Sequence, residues 1–299
     1  MKRAIITGAT GAIGTALINE LIKNNVEVLV LCREGSARNN QIPKHNLVTI
    51  EHCSLNELKN LQNTTGKTYD VFYHFAWEGT TGAARNDMVL QNRNVGYAIE
   101  AVNTAKRFGC HTFIGAGSQA EYGRVDGVLK PDTPCFPENG YGMAKLCAGH
   151  MTRVEAEKLN LRHIWVRVLS VYGLNDGQQS MVMSTISKLK NGETPDFTLG
   201  EQKWDYLYNV DAARAFYLLG LKGIGGKIYV LGSGYARPLA EYISDIRDAV
   251  NPSAKINLGA IPYAQNQVMH LCADISELKN DIGWHPKYSF KDGIKELVK

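Results

Sequence analysis

Tyr141 and Lys145 stand four residues apart in Tyr141-Gly142-Met143-Ala144-Lys145, a spacing that sets a phenol and an ammonium on one face of a helix. A tyrosine with pKa near 10 is a poor acid or base at neutral pH, and each unit of downward shift needs about 1.4 kcal/mol of preference for phenolate. A lysine ammonium supplies part of that preference. Of the fourteen tyrosines in the chain, only Tyr141 has a lysine four residues on. Ser118, at the end of the preceding predicted strand, adds a hydroxyl that would hold a reacting oxygen beside the phenol. Pairs this short recur by chance, and a serine alone reads as a turn residue. The reading therefore depends on the elements that position these three side chains.

The first such element opens the chain. Met1 to Thr15 reads as a strand through Ile5-Ile6, a glycine turn, and a helix with Ile13, Ala16, Leu17 and Leu21 on one face. Gly8 makes the tight turn, Gly11 lets backbone approach a pyrophosphate, and Gly14 lets helix pack close on strand. Thr10, Ala12 and Ile13 complete this expected dinucleotide cradle, at a helix N-terminus whose free N–H groups favour an anion. Val26 to Leu31 is the second strand, and its tip selects the cofactor. An acid there accepts from the ribose hydroxyls of NAD, whereas an arginine accommodates the 2′-phosphate of NADP. The tip is Cys32-Arg33-Glu34-Gly35-Ser36-Ala37-Arg38. Arg33 favours NADP(H), and an inward Glu34 would serve NAD(H) instead.

The rest of the chain alternates strand and helix. Val48 to Ile50 is a weak strand, and Ser54-Leu55-Asn56-Glu57 has capping-box spacing. Asp70 to Ala76 is a buried strand ending in Trp77-Glu78-Gly79, where strand ends line a ligand crevice. A helix is expected from about Asp87 to Gly109, then a strand from His111 to Ile114 with a polar continuation to Gly123. The helix beginning at Tyr141 runs to about Leu159, and Arg162 to Leu169 is again a strand. This rhythm predicts an α/β fold, a Rossmann-type doubly wound parallel sheet. Beyond Gly173 it loosens into a smaller C-terminal substrate-binding lobe. There Ser180 to Lys190 reads as helical, Trp204 to Tyr208 as extended, and Asn209 as the cap of a helix over Val210 to Leu219. Lys227 to Leu231 rejoins the sheet. Glu241 to Val250, Asp274 to Asn280 and Phe290 to Val298 are helical, with capping-box spacing at Asp274 and Glu277. The expected division is 1–170 with 206–232 for the dinucleotide domain, and 171–205 with 233–299 for the lobe.

A net charge of +4, with scattered basic residues, gives no sign of a nucleic-acid partner. The six cysteines form no Cys-x-x-Cys pair and read as reduced packing residues, with no metal site, in a cytoplasmic protein. No apolar run is long enough to span a membrane, and the first strand begins at once, so neither membrane nor signal peptide is expected.

The glycine turn, Ser118, Tyr141 and Lys145, in this order, resemble the extended short-chain dehydrogenase/reductases, the NAD-dependent epimerase/dehydratase family. The resemblance extends through His74-Phe75-Ala76, Asn94-Val95, Arg167 with Val171-Tyr172-Gly173, Asp205 to Tyr208 with Asp211, and Gly283-Trp284-His285-Pro286. It implies Tyr141 as acid/base, Lys145 as ribose ligand and pKa tuner, and Ser118 as partner of the sugar oxygen. It adds Phe75, Ala76, Asn94 and Val168 to the cofactor site. A nucleotide-sugar would lie near Trp77, Ser118, Gln119, Ser170, Lys203 and Trp204. It also implies a homodimer through the helices around Asn94 and after Tyr141.

Departures from the family pattern narrow the reaction. Gln119-Ala120 stand where 4,6-dehydratases carry an Asp-Glu pair, so elimination of water is not expected. Trp204 and Ala264 replace arginines that grip pyrophosphate, leaving Lys203 or Arg237 as substitutes, and Ser170 replaces a sugar-contacting Asn. Gly200-Glu201-Gln202, Gly259-Ala260-Ile261 and Asn266 to Met269 are similar to the subgroup of CDP-abequose synthase and related nucleotide 4-keto-6-deoxyhexose reductases. The expected activity is an NAD(P)H-dependent 4-ketoreduction of such a sugar. An NAD-dependent 4-epimerase is the alternative. A dinucleotide-sensing protein without turnover is the second alternative, and it would not need Ser118, Tyr141 and Lys145.

Overall fold

The computed structural model describes residues 1–299. The strands are β1 (Arg3–Thr7), β2 (Glu27–Cys32), β3 (Val48–His52), β4 (Val71–His74), β5 (Thr112–Ser118), β6 (Arg162–Val168), β7 (Ser170–Tyr172), β8 (Lys203–Trp204), β9 (Tyr206–Tyr208), β10 (Ile228–Leu231) and β11 (Arg237–Pro238). The helices are α1 (Ala12–Lys23), α2 (Met88–Arg107), α3 (Gly140–Lys158), α4 (Met181–Lys190), α5 (Asn209–Lys222), α6 (Leu239–Val250), α7 (Ser276–Ile282) and α8 (Phe290–Val298).

Seven strands form one parallel sheet in the order β10-β6-β5-β4-β1-β2-β3. Adjacent residues of one strand face opposite sides, so Ile6, Val28 and Val30 join the core under α1 and α5. Ile5, Leu29 and Leu31 join the core under α2. The chain winds outward from β1 to β3, then returns to β4 on the other side. That reversal opens a crevice beyond the carboxyl ends of β1 and β4, where Thr7 is level with His74. The Thr7 hydroxyl and His74 Nδ1 are 2.9 Å apart across it. Burial depresses the His74 imidazole to about 3, so it is a neutral strut.

A third core gathers Tyr172, Val182, Ile186, Tyr208, Tyr242, Ile246, Phe290 and Ile294 from the C-terminal half. No helix is long and apolar enough to cross a membrane.

Tertiary packing moved several expected boundaries. β4 stops at His74, and Phe75-Ala76 turn away into the crevice. β5 continues to Ser118 because its ladder with β6 runs on from Gly115 to Ser118, and Trp165 of β6 fills the space over Gly115 and Gly117. The expected extended run from Trp204 breaks at Asp205, whose buried carboxylate accepts from the N–H groups of Ser233 (2.6 Å), Gly234 (3.1 Å) and Ala273 (3.0 Å). Asn209 is not a cap. It lies inside α5, and its amide donates to Ala12 O (3.1 Å) and Leu174 O (3.3 Å), tying α5 to the start of α1. The Asp274/Glu277 box also fails, because α7 starts at Ser276 without a side-chain cap and Asp274 accepts from Ser276 N–H instead. The Ser54/Glu57 box does form, on a 3-10 turn.

Candidate active site

The crevice has two chambers that share Gly8, Gly11, Phe75 and Trp77. The outer one, about 510 Å³, is walled by Thr7 to Gly11, Phe75 to Gly79, and the tip of β2 with Arg33, Ser36, Arg38 and Asn39. The inner one, about 370 Å³, is lined by Ala12, Ile13, Gly14, Trp77, Ser118, Tyr141, Lys145, Val168 and Asp176, among others.

Each turn glycine has a distinct constraint. Gly8 has φ +73°, and a Cβ there would press on Ala76 N at 2.6 Å. A Cβ on Gly14 would run into the Gly8 carbonyl oxygen, whereas one on Gly11 would meet nothing closer than 3.7 Å and would project into ligand space. The first backbone bond of α1 is Thr15 N–H to Gly11 O (3.0 Å), and Gly11 carries no side chain to cap. The amides of Ala12, Ile13 and Gly14 are therefore left to an anion.

Arg33 lines the outer chamber, makes no ion pair or side-chain hydrogen bond, and has exposed Glu34 outside the lining. Arg38 crosses the mouth, donating to Thr10 O (2.9 Å) and Asn175 O (3.2 Å).

In the inner chamber, α3 begins on the side chain of Asn139, which accepts from Gly142 N–H at 2.8 Å. That start places Tyr141 one turn before Lys145, both toward the end of β5. Ser118 lines the same chamber as the Tyr141 phenol, and its own hydroxyl accepts from Ala120 N–H at 3.2 Å. Burial holds the phenol above its ordinary value; the Ser118 hydroxyl and the Arg85 charge pull it down, and Glu121 pushes it further up. Lys145 donates to Ala116 O at 2.7 Å and its Nζ lies 3.8 Å from the centre of the Trp77 ring. Burial depresses its ammonium to about 7, against the pull of Glu121. In this cleft Lys145 holds its proton less firmly than a solvated lysine, so its assistance to Tyr141 is weaker than its spacing suggested.

Other predicted residues sit elsewhere. Asn94 is buried behind the crevice, where it accepts from Glu78 N–H (3.0 Å) and donates to Glu78 O (3.0 Å). It holds the loop that carries Trp77 and does not reach the cavity. Gln119 is half-buried outside the lining. Ser170 accepts from the Trp204 indole at 2.7 Å, so these two hold each other. Lys203 is exposed on the β8–β11 pair, and Arg237 is taken by Asp245 and stacks on Tyr242.

Sequence reasoning missed the support behind Ser118. Buried Glu121 accepts from Ser118 N–H (2.8 Å), the Trp165 indole (3.0 Å) and Arg167 Nε (2.8 Å). The signal was present: Ser118-Gln119-Ala120-Glu121 has the same capping spacing as Ser54 to Glu57. Asp176, the single carboxylate lining the inner chamber, was also missed.

The profile described as "NAD dependent epimerase/dehydratase family" matches residues 4–232. The chain belongs to this family. It is 26% identical to the dTDP-4-dehydro-6-deoxyglucose reductase of Escherichia coli, over 99% of this chain and 96% of the relative. It is 25% identical to the CDP-abequose synthase of Salmonella muenchen, over 99% and 97%. Dehydratases are among the relatives as well. In fold it matches UDP-glucuronic acid 4-epimerase from Bacillus cereus in complex with NAD, with TM-score 0.85, 20% identity, and 99% and 100% of the two chains covered. The bare α1 amides and the side-chain-free approach at Gly11 fit such a dinucleotide. Gly8, Thr10, Gly11, Ala12, Ile13, Gly14, Phe75, Ala76 and Val168 would hold it, and when bound it would supply or accept hydride.

Lys145→Met tests the buried lysine as an epimerase/dehydratase-family ribose ligand. The folded-state pKa lies below the unfolded value near 10.4, so the unfolded chain binds more protons between about pH 7 and 10 and stability rises with pH there. Relative to Lys145→Met, the cofactor-free parent should gain a few kcal/mol across that window. Dinucleotide affinity should fall at least tenfold in Lys145→Met. Unchanged affinity by calorimetry would remove Lys145 from the cofactor site.

Proposed function

We propose that the protein is an NADPH-dependent 4-ketoreductase of a nucleotide-activated 4-keto-6-deoxyhexose. The observation that carries this reading is the β2 tip, which offers Arg33, Ser36 and Arg38 to the outer chamber and no carboxylate. Tyr141 gives a proton to the ketone oxygen, Ser118 holds that oxygen, and Lys145 binds the ribose. Gln119 and Ala120 have no acid or base function, which speaks against dehydration. The 4-epimerase reading uses the same residues and retains NAD. The set of Ser118, Tyr141 and Lys145 around one cavity argues against a sensing protein without turnover.

Charge-assisted contacts to a 2′-phosphate contribute roughly 1.5 to 3 kcal/mol each, so NADPH should bind at least about tenfold tighter than NADH. Arg33→Asp should reverse the order. The protein should be purified without NAD and should oxidise NADPH when given a nucleotide 4-keto-6-deoxyhexose. Tightly retained NAD⁺, with interconversion of two nucleotide hexoses and no NADPH consumption, would replace the reductase by the epimerase. The unpaired cysteines support a cytoplasmic location. Exposed Met143, Met151 and Val154 of α3 and Val89 of α2 support a homodimer through these helices, which a dimeric mass by light scattering would bear out.

A further inference from the structure

A 3-10 turn, Gly82–Asn86, leaves the crevice loop after Gly79 and folds back onto the start of α3. Two neighbouring residues make the attachment. The Asn86 side chain accepts from Gly140 N–H at 3.1 Å, and the Arg85 guanidinium lies over the Tyr141 ring, its carbon 4.2 Å from the ring centre. The approach is close enough that a Cβ on Gly140 would meet Arg85 O at 3.0 Å. Arg85 also donates to Thr80 O at 3.0 Å, has no carboxylate partner, and is half-buried. On the other side, Trp77 meets Tyr141 edge-on at 6.2 Å and is fixed by Gln91, which accepts from its indole at 2.8 Å. Gln91 also donates to Gly79 O (2.8 Å) and Ala84 O (2.9 Å), bracing the same loop at both ends. The phenol is thus held between a braced cation and a braced indole.

We propose that Arg85 is a positioning residue for Tyr141, holding the ring by its face and acting as the fixed cation that favours the phenolate. The claim rests on the reading of Tyr141 as the proton-transfer group. The geometry distributes the two basic residues between separate tasks. Lys145 spends its ammonium on Ala116 O and the Trp77 face, with Nζ 5.8 Å from the Tyr141 ring centre, whereas the guanidinium is always charged and nearer. The groups facing Tyr141 are then Arg85 from the 3-10 turn, Lys145 from α3 itself, Ser118 from the end of β5, and Glu121 behind it. Of these, only Arg85 combines a permanent positive charge with direct contact to the ring. A cation over a partly desolvated aromatic face is attracted by the ring, and more strongly once the ring carries phenolate charge.

The test compares Arg85→Gln, which keeps polarity and removes charge, with Arg85→Lys, which keeps charge. In protein labelled with [13Cζ]tyrosine, the Tyr141 signal is the one lost in Tyr141→Phe, and its titration midpoint should rise by about half to one pH unit in Arg85→Gln. Arg85→Lys should recover at least half of that shift. This measurement uses no substrate, so it stands even if the proposed reaction is wrong. The pH limb of turnover assigned to Tyr141 should move upward by the same amount, whether the phenol donates or accepts the proton. A Tyr141 midpoint in Arg85→Gln within 0.2 unit of the parent would overturn the proposal. So would a raised KM with kcat and the pH limb unchanged, which would make Arg85 a ligand for a substrate anion instead.

Discussion

Tyr141→Phe should lower turnover by on the order of 10²-fold or more while leaving the fold and cofactor affinity intact, the usual scale for loss of a general acid. The substitution removes one oxygen and nothing that packs. The ring would keep its edge contact with Trp77 and its face contact with Arg85, and α3 would still start on Asn139. Ser118 would keep Ala120 N–H as a donor at 3.2 Å. The whole effect should therefore appear in kcat, with KM and dinucleotide affinity near parental values. Activity within a factor of two of the parent would remove Tyr141 from the mechanism.

The second large effect is on stability, at the pair behind Ser118. Glu121 and Arg167 are buried together, their side chains 1% and 4% exposed, and Arg167 also donates to Pro131 O at 3.0 Å and lies over Tyr122. Taking away one partner leaves the other charge without water or counter-ion, at a cost of about 3 to 5 kcal/mol. Glu121→Ala should lose that much in urea unfolding and about 6 °C in Tm. It also frees the Ser118 and Trp165 N–H groups, so turnover should fall with stability. Arg167→Met should cost a similar amount. The double variant should cost much less than the sum, since the second change removes the charge that the first one stranded. A Glu121→Ala variant within 1 kcal/mol of the parent would show that the pair is not a structural anchor.

What the chain determined locally was legible without a structure. The short strand through Ile5-Ile6, the glycine turn and the first helix define a dinucleotide cradle because turn geometry and helix N-termini are properties of neighbouring residues. The alternation of strand and helix then determines the sheet class. The four-residue step from Tyr141 to Lys145 is likewise local. Ser118 needed only the end of a strand, and the structure brings all three to one cavity.

What neighbouring residues could not determine was where side chains spend their hydrogen bonds and charge. Asn94 has the right place in α2 for the cofactor, yet both ends of its amide are taken by Glu78. Arg237 is an available cation in the sequence and a partner of Asp245 in the fold. Lys145 reads as a full positive charge until burial, which depends on Trp77, β5 and α3 meeting, depresses it to about 7. Glu121 and Arg167 are separated by a turn, a long loop and a helix, and become one unit only because β5 and β6 are adjacent strands. Arg85 is a loop arginine with nothing to mark it until the 3-10 turn docks on α3 and lays it across Tyr141. Local spacing sets which groups can do chemistry, and the long-range packing sets their charge and their partners, because desolvation and ion pairing are felt only when distant segments close around them.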